Sequence, residues 1–165
     1  MMKKEIKAMN TNSPSATTVP EFSITRTFNA PRESVWRAWT VGSELAQWLH
    51  PFGVSTDSVT FDVQVGGQYT YTMTNDETGE KFPTGGVFLE VDPIERLVFT
   101  WGEPGASAET APVITLTLTA ENDHRTELLF HLRGFDGKPG DGFVYDGWDE
   151  ALTNFGRHLE GEQLG

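Results

Sequence analysis

Strict alternation of apolar and polar residues through the middle of the chain restricts the fold more than any other feature. Successive side chains of a β-strand point to opposite faces, so each alternating run predicts a strand with one buried and one solvated face. Gly66-Gly67 and Asp92-Pro93 separate runs and predict short turns. The alternating apolar residues are Phe61, Val63 and Val65; Tyr69, Tyr71 and Met73; Leu97, Phe99 and Trp101; Ile114, Leu116 and Leu118; and Leu128, Phe130 and Leu132. With residues 87–91, which also resemble a strand, the pattern predicts an antiparallel meander.

A further strand and two short helices are predicted before this region. Apolar and polar residues also alternate over Phe22–Phe28, and Asn29 and Pro31 suit the start of a helix. We expect Gly42 to end that helix in a left-handed conformation. Ser43 would then cap a second short helix, which stops at the next proline.

The C-terminal region predicts one long helix. Trp148, Leu152, Phe155 and Leu159 recur at steps of four, three and four, which places them on one helical stripe. Asp141 is the expected cap, and Gly147 and Gly156 each weaken the helix by roughly 1 kcal/mol relative to alanine. The predicted fold class is α+β. A curved antiparallel sheet of about seven strands surrounds the long C-terminal helix, and two short helices follow the first strand.

Charge and cysteine content exclude several kinds of partner and chemistry. Twenty-four acidic and twelve basic residues give a formal net charge of −12, which repels nucleic acid and anionic membranes. The chain has no cysteine, so it can form neither a disulfide nor a thiolate metal site. No histidine spacing indicates zinc, and we expect neither a metal nor a cofactor.

The length of 165 residues suits a single domain. Residues 1–20 are mostly polar and predict a disordered tail, which leaves residues 21–162 as the folded domain. The tail lacks the apolar run of a signal peptide or membrane helix. We therefore expect a cytoplasmic location.

The order and spacing of several short segments resemble a known superfamily. They are Ala30–Glu33 and Val35–Thr40; Leu45–Trp48; Asp62-Val63 with Gly66-Gly67; Glu90-Val91, Pro93 and Glu95–Trp101; Thr126–Leu128; Gly134-Phe135; and Gly147-Trp148 with Leu152. Over about residues 22–160 the chain resembles the START-like (SRPBCC) superfamily of polyketide cyclases, lipid-transfer domains and the birch-pollen allergen. Its segments are most similar to bacterial proteins resembling the C-terminal domain of the activator of the 90-kDa heat-shock protein ATPase. Two positions depart from that pattern: Leu49-His50-Pro51 replaces a second tryptophan and Gly-Pro, and Leu132 replaces a histidine.

This resemblance implies a helix-grip fold with a ligand cavity between the sheet and the last helix. Large apolar side chains on the inward face of the predicted strands and helices are the candidates for its wall. These residues are Trp48, Phe52, Tyr69, Tyr71, Phe88, Phe99, Trp101, Trp148 and Leu152.

Three polar residues are candidates for contact with a ligand inside the cavity. Arg26 and Glu90 share the parity of apolar neighbours, and a buried charge must be paired or functional. A bulge or strand end that returns either side chain to water is the alternative. His50 could act as a general base at the cavity mouth, or lie in a solvated loop. No complete catalytic motif is present, so no residue is assigned a catalytic role.

Three functions follow from these observations. The first is binding of a small apolar or aromatic ligand without transforming it. The second is a cyclase- or dehydratase-type enzyme acting in the same cavity through His50, Arg26, Glu90 or a tyrosine. The third is an interaction protein that modulates a chaperone or another partner. A protein partner or a homodimer is compatible with each.

Overall fold

A computed structural model describes the chain from Val19 to Leu164, with side chains described as far as Gly161. Most of the predicted disordered tail, residues 1–18, lies outside the described residues. Within the described part, no helix has the length and apolar character needed to span a membrane.

Within residues 19–164 the fold has seven antiparallel strands, as the alternation predicts, and three helices. The elements are β1 (Glu21–Phe28), α1 (Arg32–Thr40), α2 (Gly42–Trp48), β2 (Val54–Phe61), β3 (Gln68–Asn75), β4 (Lys81–Asp92), β5 (Arg96–Thr100), β6 (Val113–Asn122), β7 (Arg125–Arg133) and α3 (Val144–Leu164). The strand order is β1-β7-β6-β5-β4-β3-β2. The two short helices thus connect strands at opposite edges of one curled sheet. This arrangement confirms the predicted α+β, helix-grip-like class.

Two adjacent glycines allow β4 to pass very close to β5. A Cβ atom on Gly86 would lie 2.1 Å from the carbonyl oxygen of Thr100, a distance at which any side chain would collide with the backbone. Gly85 exchanges backbone hydrogen bonds with Gly102, at 2.9 and 3.1 Å. Glycine is therefore required where the two backbones approach this closely.

Some predicted element boundaries were wrong. Gly42 does not end α1 in a left-handed conformation. It is the first residue of α2, and the extended Val41 separates the two helices. The alternation at Phe61–Val65 also predicted a strand too far along the chain. Strand β2 ends at Phe61, because a tight turn follows it. In this turn the Gln64 N–H donates a hydrogen bond to the Asp62 carbonyl, and the Gly67 N–H donates one to the Gln64 carbonyl.

Helix α3 begins after the capping residue that the sequence predicts. Asp141 Oδ1 accepts a hydrogen bond from the backbone N–H of Phe143 at 2.8 Å and a longer one from Asp146. The hydrogen bond from Phe143, with smaller contributions from neighbouring N–H groups, lowers the pKa of the Asp141 carboxyl. The α3 backbone then runs close to β1, α1 and α2.

Candidate ligand-binding site

Tightly packed aromatic rings fill the interior beside the second half of α3. The Trp48 ring is fully buried and lies 4.6 Å, centroid to centroid, from both Trp39 and Phe155. Its Nε1–H donates a hydrogen bond to the Ala38 carbonyl at 2.9 Å. Phe28 meets Phe155 edge-on at 4.9 Å. We call this region the packed end of the interior.

An open cavity of about 570 Å³ lies beside the first two turns of α3. It reaches solvent on one side and is bounded mainly by apolar side chains from the strands and from α3. Its principal wall residues are Tyr71 and Met73 on β3, Phe82 on β4, Trp101 after β5, and Trp148 and Ala151 on α3. We call this region the open end. Its volume falls within the usual range of small-molecule sites, roughly 300–1,000 Å³.

A glycine on α3, Gly147, leaves space in this cavity because it has no side chain. Gly147 lines the cavity, and a Cβ atom built on it would have no heavy atom within 4 Å outside its immediate chain neighbours. Gly156, two and a half turns further along, faces the packed end, where a Cβ atom would lie 3.3 Å from the ring of Phe28. The same residue type therefore borders free space at one end and a buried ring at the other.

The hydroxyl of Tyr71 is a buried polar group in the cavity wall. The Trp101 Nε1–H donates a hydrogen bond to it at 3.1 Å. Burial raises the pKa of the Tyr71 phenol to about 12, and hydrogen bonding with Trp101 and Thr84 partly opposes that rise. The phenol is consequently neutral at physiological pH and keeps its proton as a hydrogen-bond donor.

Tyr69 lies next to Tyr71, and its hydroxyl has a different environment. The two rings are stacked with centroids 6.2 Å apart. Tyr69 donates its hydroxyl hydrogen to the carbonyl of Thr100 at 2.6 Å. Burial raises its pKa well above the ordinary value, with a smaller contribution from Tyr71. Its hydroxyl therefore holds β3 to the end of β5.

His50 lines the cavity, and its ring is oriented by neighbouring groups. Nδ1 lies 3.0 Å from the carbonyl oxygen of Pro51, which can only accept a hydrogen bond. A hydrogen bond to that oxygen requires the proton on Nδ1, and in that tautomer Nε2 carries the lone pair. The side-chain amide nitrogen of Asn154 lies 3.5 Å from the same Nδ1. Asn154 on α3 donates a hydrogen bond to the backbone oxygen of His50 at 3.0 Å. The second half of α3 thus fixes a residue of the cavity rim.

The structure brings together four of the residues predicted for the site and places the others elsewhere. Tyr71, Trp101, Trp148 and His50 line the cavity. Trp48, Tyr69, Phe88, Phe99 and Leu152 are buried in the core and do not line it. Phe52 is half-exposed, under the guanidinium of Arg157, which lies 5.5 Å from the ring centroid. The role of these residues in ligand contact stays a prediction.

The two predicted charged candidates lie outside the cavity and have partners. Arg26 is partly buried and pairs with Asp149 on α3, with Thr153 beside it at 3.4 Å. Glu90 is exposed and pairs with Arg96 across the turn between β4 and β5, at 3.0 Å. Each charge is therefore compensated without a ligand.

Sequence reasoning missed several wall residues. Met73 continues the alternation of Tyr69 and Tyr71, so its parity was a usable signal. Phe143 lies in the loop before α3 and Phe82 at the start of β4, where no periodicity pointed inward. Gly147 has no side chain to form a pattern.

Comparisons with known proteins agree on the fold. Residues 29–160 match the family described as "Activator of Hsp90 ATPase homolog 1-like protein". A crystal structure from Chromobacterium violaceum is 28% identical with a TM-score of 0.74, over 85% of this chain and 97% of the other. One from Nitrosomonas europaea is 25% identical with a TM-score of 0.73, over 88% and 97%.

A solution structure of an AHSA1-like protein from Aeromonas hydrophila is 21% identical, with a TM-score of 0.69 over 88% of this chain and 95% of the other. At that identity the likeness shows the fold alone. None of the curated proteins matches the chain.

Proposed function

Since the chain belongs to the family of Activator of Hsp90 ATPase homolog 1-like proteins, we propose that it binds a small apolar or aromatic ligand in the open end of its interior. The observation that carries this proposal is the aromatic-walled cavity of about 570 Å³ beside a core that is otherwise tightly packed. Cores generally close such spaces, because unfilled apolar volume is destabilising. We expect this binding to take place in the cytoplasm, as the sequence predicts.

Burial of apolar ligand surface would supply most of the affinity. Each Å² removed from water contributes about 25 cal/mol, from which the loss of ligand freedom is subtracted. A cavity that reaches solvent on one side covers only part of a ligand. We therefore expect dissociation constants in the micromolar range.

Filling the cavity from Gly147 provides the test. Gly147→Leu would project a side chain into the open end, and Gly161→Leu, also in open space on α3, is the matched control. A metabolite and lipid panel is screened by native mass spectrometry and thermal shift. We expect hits that bind the wild type and Gly161→Leu but not Gly147→Leu. Hits that bind all three proteins equally would contradict the proposal.

An enzymatic role is the second candidate, and the orientation of His50 favours it. In the tautomer whose Nδ1–H bonds to the Pro51 carbonyl, the imidazole presents a basic Nε2, and Tyr71 lines the same cavity. This pair suits removal of a proton beside a carbonyl, as a cyclase or dehydratase requires.

Hydrogen exchange of a methyl ketone tests this role. The methyl signal of 2-acetonaphthone is followed by NMR in D₂O with catalytic amounts of protein. Catalysis through His50 predicts exchange above the buffer rate that is lost in His50→Gln and in Gly147→Leu. Exchange that persists in His50→Gln would exclude this residue as the base.

A protein-interaction role is the third candidate, and exposed aromatic residues near the cavity favour it. Phe143 is 80% exposed and Phe52 is 51% exposed. Isolated exposed apolar side chains are ordinary, whereas a contiguous exposed patch would mark an interaction surface. The test measures the ATPase rate of a purified 90-kDa heat-shock protein with the wild-type chain and with Phe143→Ser. A change in rate that requires Phe143 would support this role, and an unchanged rate would exclude this chaperone as the partner.

A further inference from the structure

The residues that line the open end differ in how deeply they are buried. Tyr71, Trp148 and Ala151 are buried, whereas Phe82 is 38% exposed and Phe143 is 80% exposed. A residue that borders the cavity and is also exposed lies where the cavity meets solvent. The buried residues therefore form the inner part of the open end. Phe82 and Phe143 form its outer part, which we call the mouth.

Phe143 is the most exposed large apolar residue between residues 19 and 161. A single exposed aromatic ring is ordinary in a folded protein. This one, however, adjoins an apolar cavity of about 570 Å³ that is open to solvent. An apolar ligand in that cavity would offer the ring a surface against which it can leave water. The hydrophobic effect would then favour contact between the two.

The backbone of Phe143 is held in place by hydrogen bonds on both sides. Its N–H donates to Asp141 Oδ1 at 2.8 Å, and its carbonyl accepts from the Gly147 N–H at 2.9 Å. The preceding Gly142 N–H donates to Asp146 Oδ2 at 2.7 Å. The residue is thus fixed at the mouth while most of its surface is free of protein contacts. Motion of the ring is therefore rotation about side-chain bonds and does not require the loop to move.

We propose that Phe143 is a side-chain lid, whose ring turns over the mouth when a ligand occupies the cavity. The inference rests on the proposed binding function and adds a closing device to the same site. An exposed side chain changes rotamer within picoseconds to nanoseconds, so the lid does not slow entry. It retains ligands that extend from the inner part of the open end to the mouth, because only those reach the ring. Aromatic compounds of two or three rings have this length.

Fluorine NMR observes the ring directly when 4-fluorophenylalanine replaces Phe143. The probe ligand is N-phenyl-1-naphthylamine, an uncharged aromatic compound whose fluorescence rises in apolar surroundings. The difference in fluorine chemical shift between H₂O and D₂O reports contact of the ring with solvent. Without the probe it should be close to that of a fully exposed ring, and at saturation it should fall towards that of a buried one. The same label in place of Phe52, which is half-exposed and outside the cavity wall, should show no change.

Phe143→Ala and Phe52→Ala measure what the lid contributes to binding. Phe143→Ala should weaken binding of N-phenyl-1-naphthylamine about fivefold, since it removes the partial burial of one phenylalanine ring. The bound probe should also become more accessible to quenching by acrylamide. Phe52→Ala removes another exposed ring near the cavity, and it should change neither quantity. Thermal unfolding of each variant verifies that it is folded.

The outcomes separate the lid from the proposed function. If the solvent shift of the label at residue 143 is unchanged at saturation, the lid is overturned and ligand binding stands. Equal affinity and equal quenching in the wild type and Phe143→Ala also overturn it. Should N-phenyl-1-naphthylamine not bind, a panel compound whose binding is weakened by Gly147→Leu but not by Gly161→Leu replaces it in the fluorine experiment. If no compound meets that criterion, the lid and the proposed function both fail.

Discussion

The packed end and the open end of the interior are built from the same kinds of residue, yet only one is solid. Trp48, Trp39 and Phe155 interlock at short centroid distances where α1 and α2 press against α3. Trp101 and Trp148 meet at 5.6 Å, and both line the cavity together with Gly147 of α3. Aromatic content therefore does not distinguish core from ligand site. What differs is what surrounds the rings: other buried rings at the packed end, and open space beside Gly147 at the open end.

Alanine at one tryptophan from each end is the strongest test of this difference. Trp48→Ala should lower the free energy of unfolding by about 3–5 kcal/mol, because it leaves a void among rings that cannot move together. Trp101→Ala should cost roughly 1–2 kcal/mol, since one side of its ring already borders the cavity. Urea unfolding monitored by circular dichroism measures both values. Equal losses would mean that the open end is packed as tightly as the other.

Alkaline pH tests the burial of Tyr71 at the boundary between the two ends. Its pKa is about 12 in the folded protein, against 10.0 for the ordinary phenol. The raised value stabilises the fold fully below pH 10. As the pH rises from 10 to 12, the unfolded chain ionises first and up to roughly 3 kcal/mol is lost.

The corresponding measurement compares wild type and Tyr71→Phe by urea unfolding at several pH values between 9 and 12. The wild type should lose more stability than the variant over this range. Ultraviolet absorbance of the wild type should also show that a second tyrosine, in addition to Tyr69, ionises only at high pH. Parallel curves for the two proteins would indicate that the Tyr71 hydroxyl is accessible to solvent.

Alanine at the two glycines of α3 compares the ends within one helix. Gly147→Ala should raise the free energy of unfolding by about 0.5–1 kcal/mol, because alanine favours the helix and meets no neighbour. Gly156→Ala should instead lower it by about 0.5–1 kcal/mol. Its Cβ would press on Phe28, a buried ring that packs edge-on against Phe155. Thermal denaturation measures whether each substitution raises or lowers the stability. If both substitutions stabilise the protein, the Phe28 ring at the packed end can move enough to accept the new methyl group.

The smallest effect is expected at Arg26, which the sequence suggested for the cavity. Its pair with Asp149 is partly exposed on both sides, so Arg26→Met should cost at most about 1 kcal/mol. Binding of 2-acetonaphthone should not change, because the side chain lies outside the cavity wall. Weaker binding in this variant would mean that the guanidinium reaches the ligand.

Element types were predictable from the sequence, but several boundaries were not. Alternation identified the strands from Tyr69 to Leu132, because burial of one face of a sheet leaves a period-two pattern. It failed at Val63 and Val65, which follow the same pattern in a turn, with Val65 68% exposed. Backbone hydrogen bonding around Asp62 and Gly67 ends the strand there. A one-dimensional pattern does not contain that information.

A ligand cavity between the sheet and the last helix was expected from the resemblance and stays a prediction, and only some of the residues that line the open end were among its candidates. Tyr71 and Tyr69 have the same parity and residue type, yet one borders the cavity and the other bonds to Thr100. Their difference depends on which distant segments each side chain meets: Tyr69 reaches the carbonyl of Thr100, whereas Tyr71 meets the indole of Trp101. Met73 was recognisable by parity, whereas Phe143 was not, because loop residues carry no period.

By itself the sequence determined the order of strands and helices, the apolar face of each and the family to which the chain belongs. Those properties depend on local periodicity and on spacing along the chain. Only the tertiary structure decided which inward-facing rings pack together and which enclose a space, and which partner each buried hydroxyl finds. Packing density and hydrogen-bond direction depend on distances between segments far apart in the chain, and periodicity along one segment does not specify those distances.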